Sequence, residues 1–429
     1  MSDIIVYGKG KTGLCLAKLV KKDGDTPLLY QDGERLVDKE FFCGKKVLVS
    51  PGVPPNAYGM QLAEEVGAEV TSELSFCFPR CRGKVISVTG TNGKTTVCQM
   101  IDAILTKAQR AHKLLGNGGV PFSQYVDEVG QDEIVVLESS SFQLRNAVRF
   151  APYISVFTNV ACDHISYHGS YAAYVKSKCN NFLWQNADQF ALFNADDKSL
   201  FAFAKHAKSR VLFYSVDDKN ANFYIDEQDN VVFNRGGKIS RTKAVFPSRY
   251  RHNKSNFLAA VAASVLCGVD FDFAVGALAD FGFAPHRLQV VCRRGGITYV
   301  DDSKGTNVAA TLAAVKCFLC PVALIVGGSD KGEDFAPLFD KLPSNVVFVS
   351  AVGQTAERMK ACADSCGKTA SVCADYYAAV RGCKQALCEC DEGVVLLSNA
   401  CASFDMFDGY ASRGEYFCKV VKDVCDEQG

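Results

Sequence analysis

A layered α/β fold in three parts is predicted by three observations. Short apolar segments repeatedly stop at Gly, Ser, Asp or Asn and give way to helical spacing. The pattern restarts near Gly83 and again after Phe283-Ala-Pro-His286-Arg287. At 429 residues, 48% apolar and 22% charged, the chain is too long for one ordinary hydrophobic core. The expected domains are residues 1–82, 83–283 and 284–429. Basic and acidic residues balance at 47 each, so no summed field favours nucleic acid or an anionic membrane, and an anionic ligand has to be held by a local site. The longest nearly unbroken apolar run, Phe257 to Val269, falls short of the roughly 18–20 residues that span a bilayer. With no leader-like pattern at Met1-Ser2-Asp3, the chain reads as cytoplasmic and not as a membrane protein. Its 20 cysteines are too dilute for a short disulfide scaffold, so free thiols are expected. Cys317 and Cys320 are expected on an apolar helical run after Thr311, as small buried hydrophobes without the partners zinc needs.

The first unit opens with a strand, Asp3 to Tyr7, and the turn Gly8-Lys-Gly10-Lys-Thr12-Gly13. A helix through Leu16, Leu19 and Val20 follows, then a strand, Pro27 to Tyr30, that leads to Asp32. A GxGxxG turn between strand and helix, with an acidic residue about 20 positions on, is the dinucleotide arrangement, and a Rossmann-like domain is expected. Lys11 and Thr12 open the helix where backbone N–H groups can meet a pyrophosphate. A tight turn that binds nothing stays open as the alternative. The strand Lys46 to Val49 runs into Ser50-Pro-Gly52-Val-Pro-Pro55, a rigid loop at a strand's carboxyl end, where such sheets bind ligands.

The second unit begins with the strand Lys84 to Thr89, which meets Gly90-Thr91-Asn92-Gly93-Lys94-Thr95-Thr96 and a helix carrying Val97, Met100, Ile101, Ile104 and Leu105. This is a shortened phosphate loop, so a P-loop-type ATPase domain is expected. Small residues let consecutive N–H groups face a triphosphate, Lys94 reaches its β/γ oxygens, and Thr95 offers a hydroxyl to Mg²⁺. Two further strands, Ile134 to Leu137 and Ile154 to Thr158, end at Glu138 and at Asn159…Asp163-His164. In a doubly wound sheet these ends converge on one crevice, with Glu138 as a metal-side carboxylate and His164 as a neutral ligand. Phe223-Tyr-Ile225 and Val231-Val-Phe233 flank Asp229-Asn230 as a peripheral hairpin. The third unit repeats the strand-to-polar pattern at Ile297–Val300, Val322–Val326 and Val394–Leu397, and a second Rossmann-like, parallel sheet is expected.

In this order, the motifs resemble the three-domain, ATP-dependent Mur ligases of peptidoglycan synthesis over essentially the whole chain. The resemblance rests on Thr89–Thr95, Asn159…Asp163-His164, Arg251-His252-Asn253…Asn256, His286-Arg287 and Asp302-Ser303-Lys304-Gly305-Thr306-Asn307. Leu137–Leu144 and Ser398–Asp405…Arg413-Gly414…Phe417 are similar to the D-glutamate-adding members. The resemblance implies ATP-dependent amide ligation through an acyl phosphate and a tetrahedral intermediate, with UDP-N-acetylmuramoyl-L-alanine and D-glutamate as partners. It implies that Gly90 to Thr96, Asn253, Arg287, Asp302 and Lys304 serve ATP, with Lys94 and Arg287 also catalytic. Two Mg²⁺ are implied, one served by Thr95 and Glu138, the other by His164 and by Lys178. Lys178 follows Tyr174 by four positions, the family spacing for a lysine carbamylated by CO₂, although Lys176 lies close by. Lys11, Thr12, Asp32, Ser50, Gly52 and Asn117 are implied on the UDP-sugar, and Thr306, Lys331, Ser403 and Tyr410 on D-glutamate. A monomer is expected.

Three positions depart from the family pattern. Asn399 replaces a frequent proline and is expected to loosen the loop carrying Ser403; Cys162 stands where an acid is frequent, and Tyr410 where phenylalanine is. The rival readings are an NAD-dependent dehydrogenase, another ligase of the superfamily such as a folylpolyglutamate synthase or one adding a different amino acid, and a non-catalytic nucleotide-binding protein. The dehydrogenase leaves Gly90–Thr95 and Glu138 without a role. The binding module has no use for both Glu138 and Lys331.

Overall fold

The computed structural model describes every residue except Met1, Lys331, Gln428 and Gly429. The chain forms two compact units, Met1–Gly282 and Phe283–Gly429. Among the described residues, no helix is long and apolar enough to cross a membrane.

The first unit holds two sheets. Strands β1 (Asp3–Tyr7), β2 (Thr26–Tyr30), β3 (Lys46–Val49) and β4 (Glu69–Ser72) form an all-parallel sheet in the order β2-β1-β3-β4. Alternate side chains enter opposite layers: Ile4, Val6 and Leu48 pack with Leu16 and Val20, whereas Ile5, Tyr7 and Val47 pack with Tyr30, Phe42 and Met60. The first layer runs without a break through Leu74 and Phe122 to Val85 and Leu137 of the second sheet, which makes the two sheets one body.

The second sheet contains β5 (Lys84–Thr89), β6 (His112–Gly116), β7 (Ile134–Glu138), β8 (Ile154–Phe157), β9 (Phe190–Asn194), β10 (Arg210–Ser215), β11 (Phe223–Ile225), β12 (Asn230–Arg235) and β13 (Lys238–Lys243). Its order is β13-β12-β11-β10-β9-β8-β5-β7-β6. The strands are parallel from β6 across to β11; β12 and β13 run antiparallel. The expected hairpin is present as β11 and β12, with Phe223 stacked on Phe233 at 4.2 Å, and β13 extends it. Because β7 and β8 lie on opposite sides of β5, the chain leaves β5 at a point where the strand order reverses, and the carboxyl ends of all three strands share one crevice. The apolar run expected at Phe257 lies in the helix Arg251–Leu266, buried on all sides from Ser255 to Ser264.

The second unit holds β14 (Gln289–Arg294), β15 (Ile297–Asp301), β16 (Val322–Val326), β17 (Val346–Ala351), β18 (Ala370–Val372) and β19 (Gly393–Leu397), in the order β14-β15-β19-β16-β17-β18. All pairs are parallel except β14 with β15. Gly295 and Gly296, at φ 56° and 78°, form the tight turn between these two, which needs positive φ at both positions. The helix expected to carry Cys317 stops at Val315; Pro321 disfavours helical geometry just before it, and Cys317 and Cys320 are half-buried in the connecting turns rather than buried.

Candidate active site

The loop after β5 is built so that only small residues fit. Gly90 adopts φ 149° with its α-carbon against the Thr158 hydroxyl, and a Cβ on Gly93 (φ 87°) would stand 2.5 Å from Asn256 Oδ1. Asn159, just beyond β8, clamps the loop from the neighbouring strand. Its side-chain oxygen accepts from the Asn92 N–H at 2.9 Å and its amide donates to the Asn92 carbonyl at 3.0 Å. Thr158 adds a hydroxyl to the same carbonyl at 2.5 Å, a role that no motif had signalled. Lys94 opens the helix Lys94–Lys107 and turns back, donating to the Gly90 and Thr91 carbonyls at 2.9 Å each. Thr95 and Thr96 complete the first helical turn, where backbone N–H groups and the helix dipole favour an anion.

Two buried ionisable side chains flank this loop. Glu138 ends β7 and is only 4% exposed; Asn117 donates to its Oε1 at 3.0 Å. Gly118 approaches its other oxygen so closely that a Cβ there would lie at 2.9 Å. Lys178, on the helix Tyr171–Cys179, is 2% exposed and donates to the Gly90 carbonyl at 2.8 Å, so Lys94 and Lys178 converge on one oxygen. Burial, and then the charge of Lys94, holds the Lys178 amine well below the ordinary lysine range. Its Nζ lies 4.7 Å from the Tyr174 ring, and the Tyr174 hydroxyl meets Thr91 Oγ1 at 2.7 Å. His164 sits at φ 55° ahead of the short helix Ile165–His168, beside Asp163 and with its ring 4.7 Å from Phe142.

A cavity of 680 Å³ opens at the carboxyl ends of β1 and β3, and Lys11, Thr12, Asp32, Ser50, Gly52 and Asn117 all line it. Its floor is tight: a Cβ on Gly13 would collide with the Gly8 carbonyl. Asp32 accepts from the Tyr30 hydroxyl at 2.7 Å and from the N–H groups of Tyr58 and Gly59 at 3.0 and 3.2 Å, capping the helix Tyr58–Glu65. Although partial burial opposes it, donation from Tyr7, Tyr30 and these N–H groups holds its carboxyl below the usual range. Asn253, in the first turn of Arg251–Leu266, donates to Ser248 at 3.0 Å.

In the second unit, Asp302 follows β15, is buried, and accepts from Ser398 Oγ at 2.8 Å and the Leu288 N–H at 3.3 Å. Burial pushes its pKa up to about 7. The unfolded chain therefore ionises first as pH rises, and stability falls between about pH 4 and pH 7. Asp302→Asn is expected to raise Tm relative to the parent by a margin that widens across this window; a margin independent of pH would contradict the assignment. Arg287 contributes the nearby positive charge. Lys304 lies with its Nζ 3.7 Å from the centre of the Tyr410 ring, while the Ser303 hydroxyl donates to the Tyr410 carbonyl at 2.8 Å. Thr306 is half-buried and Ser403 buried; Lys331 lies outside the described residues.

Asn399 reverses the expectation attached to it. Its amide donates to the Gly327 carbonyl at 3.0 Å and to the Tyr376 hydroxyl at 3.3 Å, which fastens the loop instead of loosening it. Arg413 is a second fastener, fully buried on the helix Tyr410–Asp426. It donates to Ser303 Oγ and to the carbonyls of Ser303, Cys401 and Ala402, tying together the two motif loops. The sequence signal was a charged residue on the face otherwise formed by Phe417, Val420 and Val424. Arg413→Met takes the donor from the Ser303 and Cys401 carbonyls, while Ala402 keeps the Ser329 N–H, and is expected to lower unfolding stability by about 2–4 kcal/mol, read as a lower denaturant midpoint.

The model of the Mur ligase middle domain matches residues 88–264, and that of the Mur ligase glutamate ligase domain matches residues 286–401. The chain is similar to the UDP-N-acetylmuramoylalanine--D-glutamate ligase of Caldicellulosiruptor bescii, at 31% identity over 98% of both chains. It is also similar to the ligases of that name from Acidobacterium capsulatum (32% identity, 97% of this chain and 95% of the relative) and Symbiobacterium thermophilum (34%, 92% and 87%). The fold is shared with a pseudomurein peptide ligase type C from Methanothermus fervidus (TM-score 0.62, 16% identity, 98% and 99% covered). It is shared equally with MurF from Acinetobacter baumannii (TM-score 0.63, 15% identity, 99% and 90% covered). With full-length relatives above 30% identity and both family models in order along the chain, the protein belongs to the Mur ligase family, in the branch of the UDP-N-acetylmuramoylalanine--D-glutamate ligases.

Proposed function

We propose that this chain joins D-glutamate to the L-alanine carboxylate of UDP-N-acetylmuramoyl-L-alanine, using ATP, in peptidoglycan precursor synthesis. The observation that carries the reading is Asn117, which lines the cavity and also holds Glu138 beside the phosphate loop. One residue thus joins a pocket suited to a nucleotide sugar with a carboxylate suited to ATP. The three-domain organisation, Rossmann-like at 1–82, P-loop-type at 83–283 and Rossmann-like at 284–429, belongs to the same proposal.

A carboxylate is a poor acyl donor. Its oxygen attacks the γ-phosphorus of ATP, the bond to ADP breaks, and an acyl phosphate forms. The amine of D-glutamate then attacks the carbonyl carbon, and the tetrahedral intermediate expels phosphate while the amine loses a proton. Both steps crowd anions together, so placed cations supply most of the rate. Lys94 leaves the Gly90 and Thr91 carbonyls for the β/γ oxygens of ATP. The N–H groups of Gly90 to Thr96 hold the phosphates, and Asn253, Arg287, Asp302 and Lys304 serve the nucleotide. Lys11, Thr12, Asp32, Ser50 and Gly52 hold the uridine diphosphate side; Thr306, Lys331, Ser403 and Tyr410 hold D-glutamate.

Magnesium takes one or two carboxylates beside substrate phosphates and keeps several waters, and the buried Glu138 carboxylate with the Thr95 hydroxyl fits that donor set. His164 and Lys178 would hold a second ion, Lys178 as its carbamate. When bound, magnesium neutralises phosphate oxygens. A carbamate forms when a neutral amine attacks CO₂, making an N–C bond and releasing a proton. Burial and the Lys94 charge lower the Lys178 pKa, which favours the neutral form of that amine. The test of the function is phosphate release from ATP. It is expected only when UDP-N-acetylmuramoyl-L-alanine and D-glutamate are both present. Release with neither, turnover of NAD(H), or equal release with another amino acid would contradict it.

A further inference from the structure

We propose that Tyr167 is a positioning residue that ties the nucleotide-sugar cavity to the reaction centre, so that the bound uridine diphosphate sets where the carboxylate lies. The inference rests on the function proposed above. Tyr167 belongs to the short helix Ile165–His168, and its hydroxyl reaches the loop after β3, where its one hydrogen is shared between the carbonyls of Val53 at 2.9 Å and Pro51 at 3.1 Å. That loop lines the cavity. At its other end, the Tyr167 N–H donates to the His164 carbonyl at 3.1 Å. The ring packs edge-on against Phe142 at 4.2 Å, and Phe142 in turn meets the His164 ring at 4.7 Å.

One side chain thus spans from the wall of the cavity to the turn that carries His164. Phenylalanine would fill the same aromatic box, so packing alone does not call for the hydroxyl. The loop it grips contains Pro51, Pro54 and Pro55 and has little freedom to shift independently. Binding at a remote handle accelerates a reaction only if it is converted into position at the reacting atoms. The tether supplies that conversion: it holds the loop and His164 at one separation, against which the length of the substrate is measured.

Tyr167→Phe keeps the ring and removes the tether together with the hydroxyl's hydrogen bond to Arg145. The expected result is a UDP dissociation constant within twofold of the parent and unchanged KM for ATP and D-glutamate, with kcat lowered about tenfold, since small misplacements at the reacting centre carry penalties of this size or larger. Weakened UDP binding with parental kcat would overturn the proposal, because it marks the hydroxyl as a loop anchor only. No change in any parameter would overturn it too. If the variant does not fold, Phe142→Leu, which keeps the hydroxyl contact and removes the ring between Tyr167 and His164, has to show the same split. A parent enzyme that does not ligate D-glutamate at all would refute the underlying function instead.

Discussion

Lys178→Ala is expected to lower kcat by a factor on the order of 10²–10³, the penalty for losing one placed electrostatic group in a dry site. Lys178 is 2% exposed and shares the Gly90 carbonyl with Lys94. A cation fixed there gains little, because burial and the Lys94 charge both disfavour it. A neutral amine in the same place is the form that takes up CO₂, and the product anion is compatible with the Lys94 charge. The parent enzyme stripped of CO₂ should therefore lose activity and regain it with bicarbonate, and ¹³C-labelled bicarbonate should yield a carbamate resonance that Lys178→Ala abolishes. Lys178→Arg should not rescue, since a guanidinium stays charged. Full activity without CO₂, together with a fully active Lys178→Ala enzyme, would contradict this role. The variant should fold, because it removes a buried amine whose polar partner is one loop carbonyl.

Lys94→Ala is expected to lower kcat by a similar or larger factor, at least on the order of 10²–10³, with the KM for UDP-N-acetylmuramoyl-L-alanine unchanged. Its ammonium donates to the Gly90 and Thr91 carbonyls. Neutralisation of the transferring phosphoryl group depends on its charge. Lys94→Arg should recover little, because a planar fork does not replace a point charge within a loop this tight. A Lys94→Ala enzyme with parental kcat would remove the phosphate loop from the mechanism.

The features that were legible in the sequence are those whose partners are close in the chain. The strands Lys46–Val49 and Lys84–Thr89 are bounded as their apolar runs suggest, and Gly90–Thr96 is recognisable because the strand, turn and helix that define it are consecutive. Tyr174 and Lys178 are legible as a pair one helical turn apart. Glu138 and Asn159 could be placed by rule, since parallel strands bring their carboxyl ends to one crevice. Contacts across long sequence separations were not legible. Tyr167 grips Val53 from 114 residues away, and Arg413 holds Ser303 from 110, with no periodicity linking either pair. Asn399 was misread for the same reason: its partner Gly327 is 72 residues distant, so its effect on the loop could be argued only from the proline it replaces. The helix toward Cys317 was overextended because apolar composition outweighed the proline that follows at 321.

The central claim, that a carboxylate is activated by phosphorylation before D-glutamate attacks, is tested most directly by following oxygen. UDP-N-acetylmuramoyl-L-alanine carrying ¹⁸O in both carboxylate oxygens is turned over with unlabelled ATP and D-glutamate, and the released phosphate is analysed by mass. Acyl phosphate formation transfers one labelled oxygen into each phosphate and leaves the other in the new amide. Phosphate free of ¹⁸O, with the peptide product formed, would contradict the account.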